Sequence, residues 1–156
     1  SRGFVKEGYK AIKALYDQVM DFDTSRIYPG IPEYFNDRGR GMYNYLTGSA
    51  SWLVLTVLTE MYGVKGKRGD LILSPKLMAE QFDDQGIASI TCKFAGRNLR
   101  IVYENKKHKE IGDYEIEEAY MNDLPCHFTQ EGTKIERSEF EKLSTEQEHI
   151  IRVVLS

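Results

Sequence analysis

The sequence predicts an α+β fold with its helices first and an antiparallel β region after them. Three observations carry this reading. Apolar residues fall at three- and four-residue spacing over residues 4–20, an almost unbroken apolar run fills residues 52–62, and beyond Gly69 apolar residues recur at every second position. The change of period from about 3.6 to about 2 divides the chain into residues 1–66 and residues 67–156.

In residues 4–20, Val5, Gly8, Ile12, Leu15, Tyr16, Val19 and Met20 are interleaved with Lys6, Glu7, Lys10, Lys13, Asp17 and Gln18. That pattern is an amphipathic helix. Residues 21–25 break the period, and Tyr28-Pro29-Gly30-Ile31-Pro32 requires a shaped loop, because each proline fixes φ and removes a donor. A second helix is expected to start near Ser49 and run to Tyr62, with Gly63 as its left-handed cap. Trp52, Leu53, Val54, Leu55, Val57, Leu58, Met61 and Tyr62 surround it, so it should be buried on nearly every side.

The junction Thr47-Gly48-Ser49 is the candidate for chemistry. A helix start leaves backbone N–H groups without partners and carries partial positive charge, which suits an anion. Thr47 adds a hydroxyl, and Gly48 permits close approach to the backbone. The alternative is that Thr47 or Ser49 is a plain N-cap.

The second half reads as strands. Leu71-Ile72-Leu73 precedes Pro75; Ala88, Ile90, Cys92 and Phe94 alternate with Ser89, Thr91 and Lys93; and Ala95-Gly96-Arg97-Asn98 turns the chain into a return strand with Leu99, Ile101 and Tyr103. Further strands are expected at 114–121, 126–130 and 148–155, with a helical turn at 138–143. An antiparallel sandwich or jelly-roll accounts for this order.

Composition narrows the function classes. The 156 residues are 41% apolar with a net charge of −3, and the basic clusters at 65–68 and 106–109 are short and flanked by turn residues. Neither a nucleic-acid nor a membrane partner is expected. No stretch is long and apolar enough to span a bilayer, no secretory signal opens the chain, and the two cysteines lie in strand-like runs. These features favour buried thiols and a cytoplasmic setting. Cysteine and histidine spacings match no zinc site, and Asp37 with Asp83 and Asp84 forms no calcium loop, so no metal is expected. Cys126 and His127, as neighbours in a strand, point to opposite faces and do not form a nucleophile and base.

One ordered set of motifs is more specific. Pro-Glu-Tyr-Phe, Arg-Gly-Arg-Gly, Tyr-Leu-Thr-Gly-Ser-Ala-Ser-Trp, then Gly63-Val64, Gly69-Asp70-Leu71 and Ser74-Pro75-Lys76-Leu77 follow one another from about Tyr28 to about Tyr103. In this order they resemble the C-terminal part of the inverting β-glycoside phosphorylases, the family of cellobiose, chitobiose and cellodextrin phosphorylases. The wording is closest to the β-1,2-glucan branch, which includes the phosphorylase-like end of cyclic β-1,2-glucan synthases.

The resemblance implies that residues 1–66 are the last helices of an (α/α)6 barrel and residues 67–156 a C-terminal β-sandwich, so that the chain is a fragment of a larger enzyme. It implies phosphate binding by Thr47 and Gly48, with Glu33 and Asn36 as candidate sugar-site residues. The other reading of Glu33 and Asn36 is that they hold the loop through backbone hydrogen bonds. No residue matches the family's catalytic Asp, and neither the phosphate-site Arg nor the His can be assigned. No catalytic residue is therefore expected here, and the chain should be inactive alone. Expected partners are a β-linked oligosaccharide, inorganic phosphate as co-substrate in place of any cofactor, and the rest of the parent enzyme. Apolar surface uncovered in isolation would also favour a homodimer. The rival class is a non-catalytic carbohydrate-binding module on the β half, motivated by Phe94, Tyr103, Tyr114, Tyr120 and Phe128.

Overall fold

The computed structural model describes residues 3–27, 30–43, 48–129 and 132–156. The chain is an α+β protein, mostly sheet with few helices. It divides into two compact units, Ser1–Val57 and Leu58–Ser156.

The first unit opens with α1 (Val5–Met20), the amphipathic helix expected from its spacing. Lys13 and Asp17, four residues apart, pair at 2.7 Å on its outer face. Asp21 then accepts the Thr24 N–H and starts the short helix α2 (Phe22–Ser25), which ends at Arg26 in the left-handed region. The Ser25 hydroxyl, fully buried, donates to the Val19 carbonyl and ties the two helices together. A two-stranded hairpin of β1 (Tyr34–Phe35) and β2 (Gly41–Met42) follows. Its seat is Ile27, 2% exposed: a Cβ at Gly41 would fall 2.1 Å from Ile27 Cδ1, so a larger residue would have to displace that side chain.

Helix α3 (Ser49–Thr56) starts where the sequence placed it. Its α-helical part stops at Thr56, and the chain continues as a wider π-helical turn, Val57–Met61, before Gly63 at φ +69° ends it. The expected burial of this helix is not met within the chain, since no residue of α3 is buried and Trp52, Val54 and Leu55 are 71%, 64% and 46% exposed. The physical reason lies in the helix itself: a cylinder apolar on all sides needs neighbours on all sides, and the described residues supply too few.

Among the described residues the second unit holds nine strands in two sheets. β3 (Val64–Lys67), β4 (Asp70–Leu73), β9 (Phe128–Thr129) and β10 (Gly132–Ile135) form one, in the order β3-β4-β10-β9. The other contains β5 (Ile87–Phe94), β6 (Arg97–Glu104), β7 (Ile116–Met121), β8 (Leu124–Pro125) and β11 (Glu148–Leu155), ordered β5-β6-β11-β7-β8. Helix α4 (Arg137–Glu141) precedes β11. Because β3 belongs to this unit, the change from helix to sheet comes before the 66/67 boundary expected from the sequence.

The expectation of a wholly antiparallel β region is corrected at the centre of the larger sheet, where β11 pairs with β6 in parallel from Glu148·Asn98 to Val154·Glu104. Parallel neighbours need a long crossover, and the chain from β7 to α4 provides it. One buried cluster draws on both sheets: Leu71, Leu73 and Ile135 come from the first, Leu99, Ile101, Tyr103, Ile151 and Val153 from the second, and Phe140 from α4. The odd residues of β6 and β11 face this core and the even ones face outward, which is the period read from the sequence.

Candidate functional site

Gly48 is the N-cap of α3, exposed, with φ −79° and ψ −7°, and no side chain of the cap position bonds back to the helix start. Its carbonyl accepts the Trp52 N–H at 2.8 Å, the first helical bond. At that φ glycine is not required for backbone reasons; a Gly48 Cβ would lie 3.0 and 3.2 Å from Trp52 Cδ1 and Nε1, so a side chain there would have to nudge the exposed indole aside. The indole therefore lies along the helix start, 71% exposed, and does not anchor a core within the chain. Thr47, the other expected phosphate ligand, lies outside the described residues, as do Tyr28 and Pro29 of the same motif region.

Glu33 and Asn36 flank β1. The Glu33 N–H donates toward the Met42 and Tyr43 carbonyls at 3.1 and 3.2 Å, and its side chain is exposed. Asn36 is spent on the loop: its Oδ1 accepts the Arg38 and Arg40 N–H groups, both at 3.0 Å, while its own N–H reaches the Arg40 carbonyl at 2.9 Å. Of the two readings left open for Asn36, loop support is the one its hydrogen bonds carry out. The loop is also gripped from α1, where Gln18 Nε2 donates to the Gly39 carbonyl at 3.0 Å. Arg38 and Arg40 are exposed.

A measurable consequence follows for Asn36→Ala. Two amides lose their acceptor, at about 1 kcal/mol each, so hydrogen exchange of the Arg38 and Arg40 amides should accelerate on the order of tenfold. Unchanged exchange at both would show that Asn36 does not hold this loop.

In the second unit a cleft of about 430 Å³ lies between β8, β10 and α4, with Cys126, His127, Lys134, Glu136 and Glu139 on its walls. Burial pushes the Cys126 thiol up, and Glu139 adds to the shift, which is the opposite of what a nucleophilic cysteine needs. Lys134 is occupied by Asp70 at 3.1 Å and Glu136 at 3.5 Å. Among the described residues no group of His, Cys, Asp and Glu could hold a metal ion.

His149, 1% exposed, has both ring nitrogens engaged, Nε2 with the Ser144 carbonyl and Nδ1 with Asn122 Nδ2, each at 2.9 Å. Asn122 Oδ1 accepts the Ile150 N–H, so the amide is fixed and His149 Nδ1 is the acceptor. This histidine is structural.

The aromatic residues of the β half are also accounted for. Tyr103 is fully buried, Phe94 stacks on Phe140 at 5.1 Å, Tyr114 bonds Leu77, and Tyr120 lies under the Arg152 guanidinium at 4.3 Å. Of the five, Phe128 alone is exposed, at 37%. No family model matches the chain, and no curated protein matches it.

Proposed function

We propose that the chain is the C-terminal part of an inverting carbohydrate phosphorylase, or of the phosphorylase-like end of a glucan synthase, and that the start of α3 forms one wall of its phosphate site. The observation that carries this reading is the ordered motif set from Tyr28 to Tyr103 with Thr47-Gly48 at its centre. Three features support it. Gly48, at the start of α3, is exposed; the apolar flank of α3 is exposed where an (α/α)6 barrel would cover it; and the second unit, two sheets around one core, reads as a β-sandwich.

In this reading a carboxylic acid from another part of the parent enzyme protonates the glycosidic oxygen. Phosphate attacks the anomeric carbon from the opposite face and gives an α-sugar 1-phosphate. The amides at the start of α3 and the Thr47 hydroxyl hold the phosphate in line, and Glu33 borders the sugar. The chain alone is then inactive, lacking the acid. The rival carbohydrate-binding module would need an exposed aromatic platform, and its five candidate rings supply one exposed edge.

Titration with inorganic phosphate, followed by amide resonances, tests the reading. The Gly48, Ser49 and Ala50 amides should shift together and saturate in roughly the millimolar range, and Thr47→Ala should weaken this at least about threefold. Shifts confined to the basic turns at 65–68 or 106–109, or none that saturate, would remove the proposal.

A further inference from the structure

The end strand of a sheet presents a row of main-chain amides and carbonyls that can template another strand. Among the described residues the two larger sheets have four end strands, and three are blunt. β8 is two residues with Pro125, β9 is two residues and β3 is four. β5 differs: it runs for eight residues, contains no proline, and pairs with β6 from Ile87·Glu104 to Phe94·Arg97 without a bulge.

The hairpin turn fixes which groups of β5 face outward. Ala95 and Gly96, at φ 47° and 76°, make a two-residue turn, so Phe94·Arg97 is a hydrogen-bonded pair. By alternation Cys92, Ile90 and Ala88 also bond β6, while the main chains of Ile87, Ser89, Thr91 and Lys93 point away. Ile87 is already taken, with its N–H on Asp83 Oδ1 at 2.8 Å and its carbonyl accepting the Asp83 N–H at 2.9 Å. The outward amides and carbonyls of Ser89, Thr91 and Lys93 have no partner among the described residues, and all three residues are exposed.

We propose that this edge binds a second copy of the chain, with β5 adding antiparallel to β5 about a two-fold axis at Thr91. The pairs are then Thr91·Thr91, Ser89·Lys93 and Lys93·Ser89, each closing two main-chain hydrogen bonds, so every free group on the edge is used. Other registers fail on visible grounds. Centring on Ser89 or on Ile90 would call on the main chain of Ile87 that Asp83 occupies, centring on Lys93 would oppose two ammonium groups, and centring on Cys92 would put Ser89 opposite Ala95, beyond the end of the strand.

The side chains agree with the Thr91 register. On the outer face a threonine pair forms and each lysine meets a serine, with no like charges opposed. On the core face Ile90 comes opposite Cys92 of the other copy, and both are half-buried at present, so association covers apolar surface. The five-stranded sheet becomes continuous across the pair. Strand addition of this length buries less than about 1,200 Å², which places the dimer among weak associations.

Sedimentation of the full chain tests this with three variants. Wild type should dimerise reversibly with a dissociation constant between about 1 μM and 1 mM. Thr91→Pro removes both hydrogen bonds at the axis and should weaken the dimer at least about tenfold. Its melting temperature should hardly change, because the Thr91 N–H makes no bond to β6. In a Cys92→Ser, Cys126→Ser background, Thr91→Cys should cross-link on mild oxidation, since a hydrogen-bonded pair sets the two Cα atoms about 5.5 Å apart. Ser89→Cys, the third variant, should not. A monomer at about 1 mM, a dimer indifferent to Thr91→Pro, or cross-linking no better at 91 than at 89 would each overturn the proposal. Should Thr91→Pro fail to fold, the comparison of the two cysteine variants decides.

Discussion

Replacing Gly63 with alanine should remove a large share of the second unit's stability. Gly63 is buried at φ +69°, and an added Cβ would fall 1.9 Å from the Ser74 carbonyl oxygen, 2.2 Å from its carbon and 2.8 Å from the Pro75 nitrogen. All three are backbone atoms held by the Ser74 N–H on the Gly63 carbonyl and the Lys76 N–H on the Met61 carbonyl, so no side chain can swing aside. The left-handed conformation alone costs an alanine about 1–2 kcal/mol. With the backbone displaced as well, the total should reach at least about 4 kcal/mol, against a whole-domain stability of about 5–15 kcal/mol. Gly96→Ala is the control: φ is +76° there but nothing lies within 4 Å, so only the conformational cost applies. Urea unfolding followed by circular dichroism separates the two. Equal midpoints would show that crowding at Ser74 does not matter.

The second large effect is an alkaline collapse between about pH 10 and pH 12. Tyr114 accepts the Leu77 N–H at 2.9 Å and donates to the Leu77 carbonyl at 3.0 Å, and burial pushes its hydroxyl from 10.0 up to about 12. Tyr103, fully buried with its hydroxyl on the Tyr62 carbonyl, is raised further by the same cause. In this window an unfolded tyrosine has lost its proton and the native one has kept it, so the unfolded state binds fewer protons and stability falls as pH rises. A shift from 10.0 to about 12 makes the loss for Tyr114 about 3 kcal/mol, and Tyr103 adds to it. Below pH 10 the contribution is fully present. Urea midpoints measured across the window should drop steeply, and Tyr114→Phe should flatten the slope whatever it does to stability at neutral pH. A level profile would contradict the burial of both hydroxyls.

Local pattern made much of this fold legible. α1 needed one period of helical spacing, the β5–β6 hairpin needed alternation and a turn with glycine, and β11 needed eight residues of alternation, all of which lie within a short window of sequence. What escaped either lacked a clear local pattern or was set by distant partners. β3 is Val-Lys-Gly-Lys, weak as a strand, and exists because Arg68-Gly69 fold it onto β4; β10 is held by β4, far away in the chain; and the parallel order of β6 and β11 has no local signature.

The site divides in the same way. The start of α3 was visible as an apolar run behind Thr-Gly-Ser, whereas the duty of Asn36 depends on where the Arg38 and Arg40 amides come to rest. The sequence predicted burial for Trp52, Val54 and Leu55, and among the described residues all three are exposed, because burial depends on neighbours that no local pattern specifies.

The place of β11 also governs the order of assembly. The larger sheet is built from two local hairpins, β5–β6 and β7–β8, which can zip while the chain is still being synthesised. They are joined in the sheet only through β11, which lies between them and bonds one on each side. Until β11 is in place the two hairpins keep two unfinished edges, and its pairing with β6 and β7 closes both.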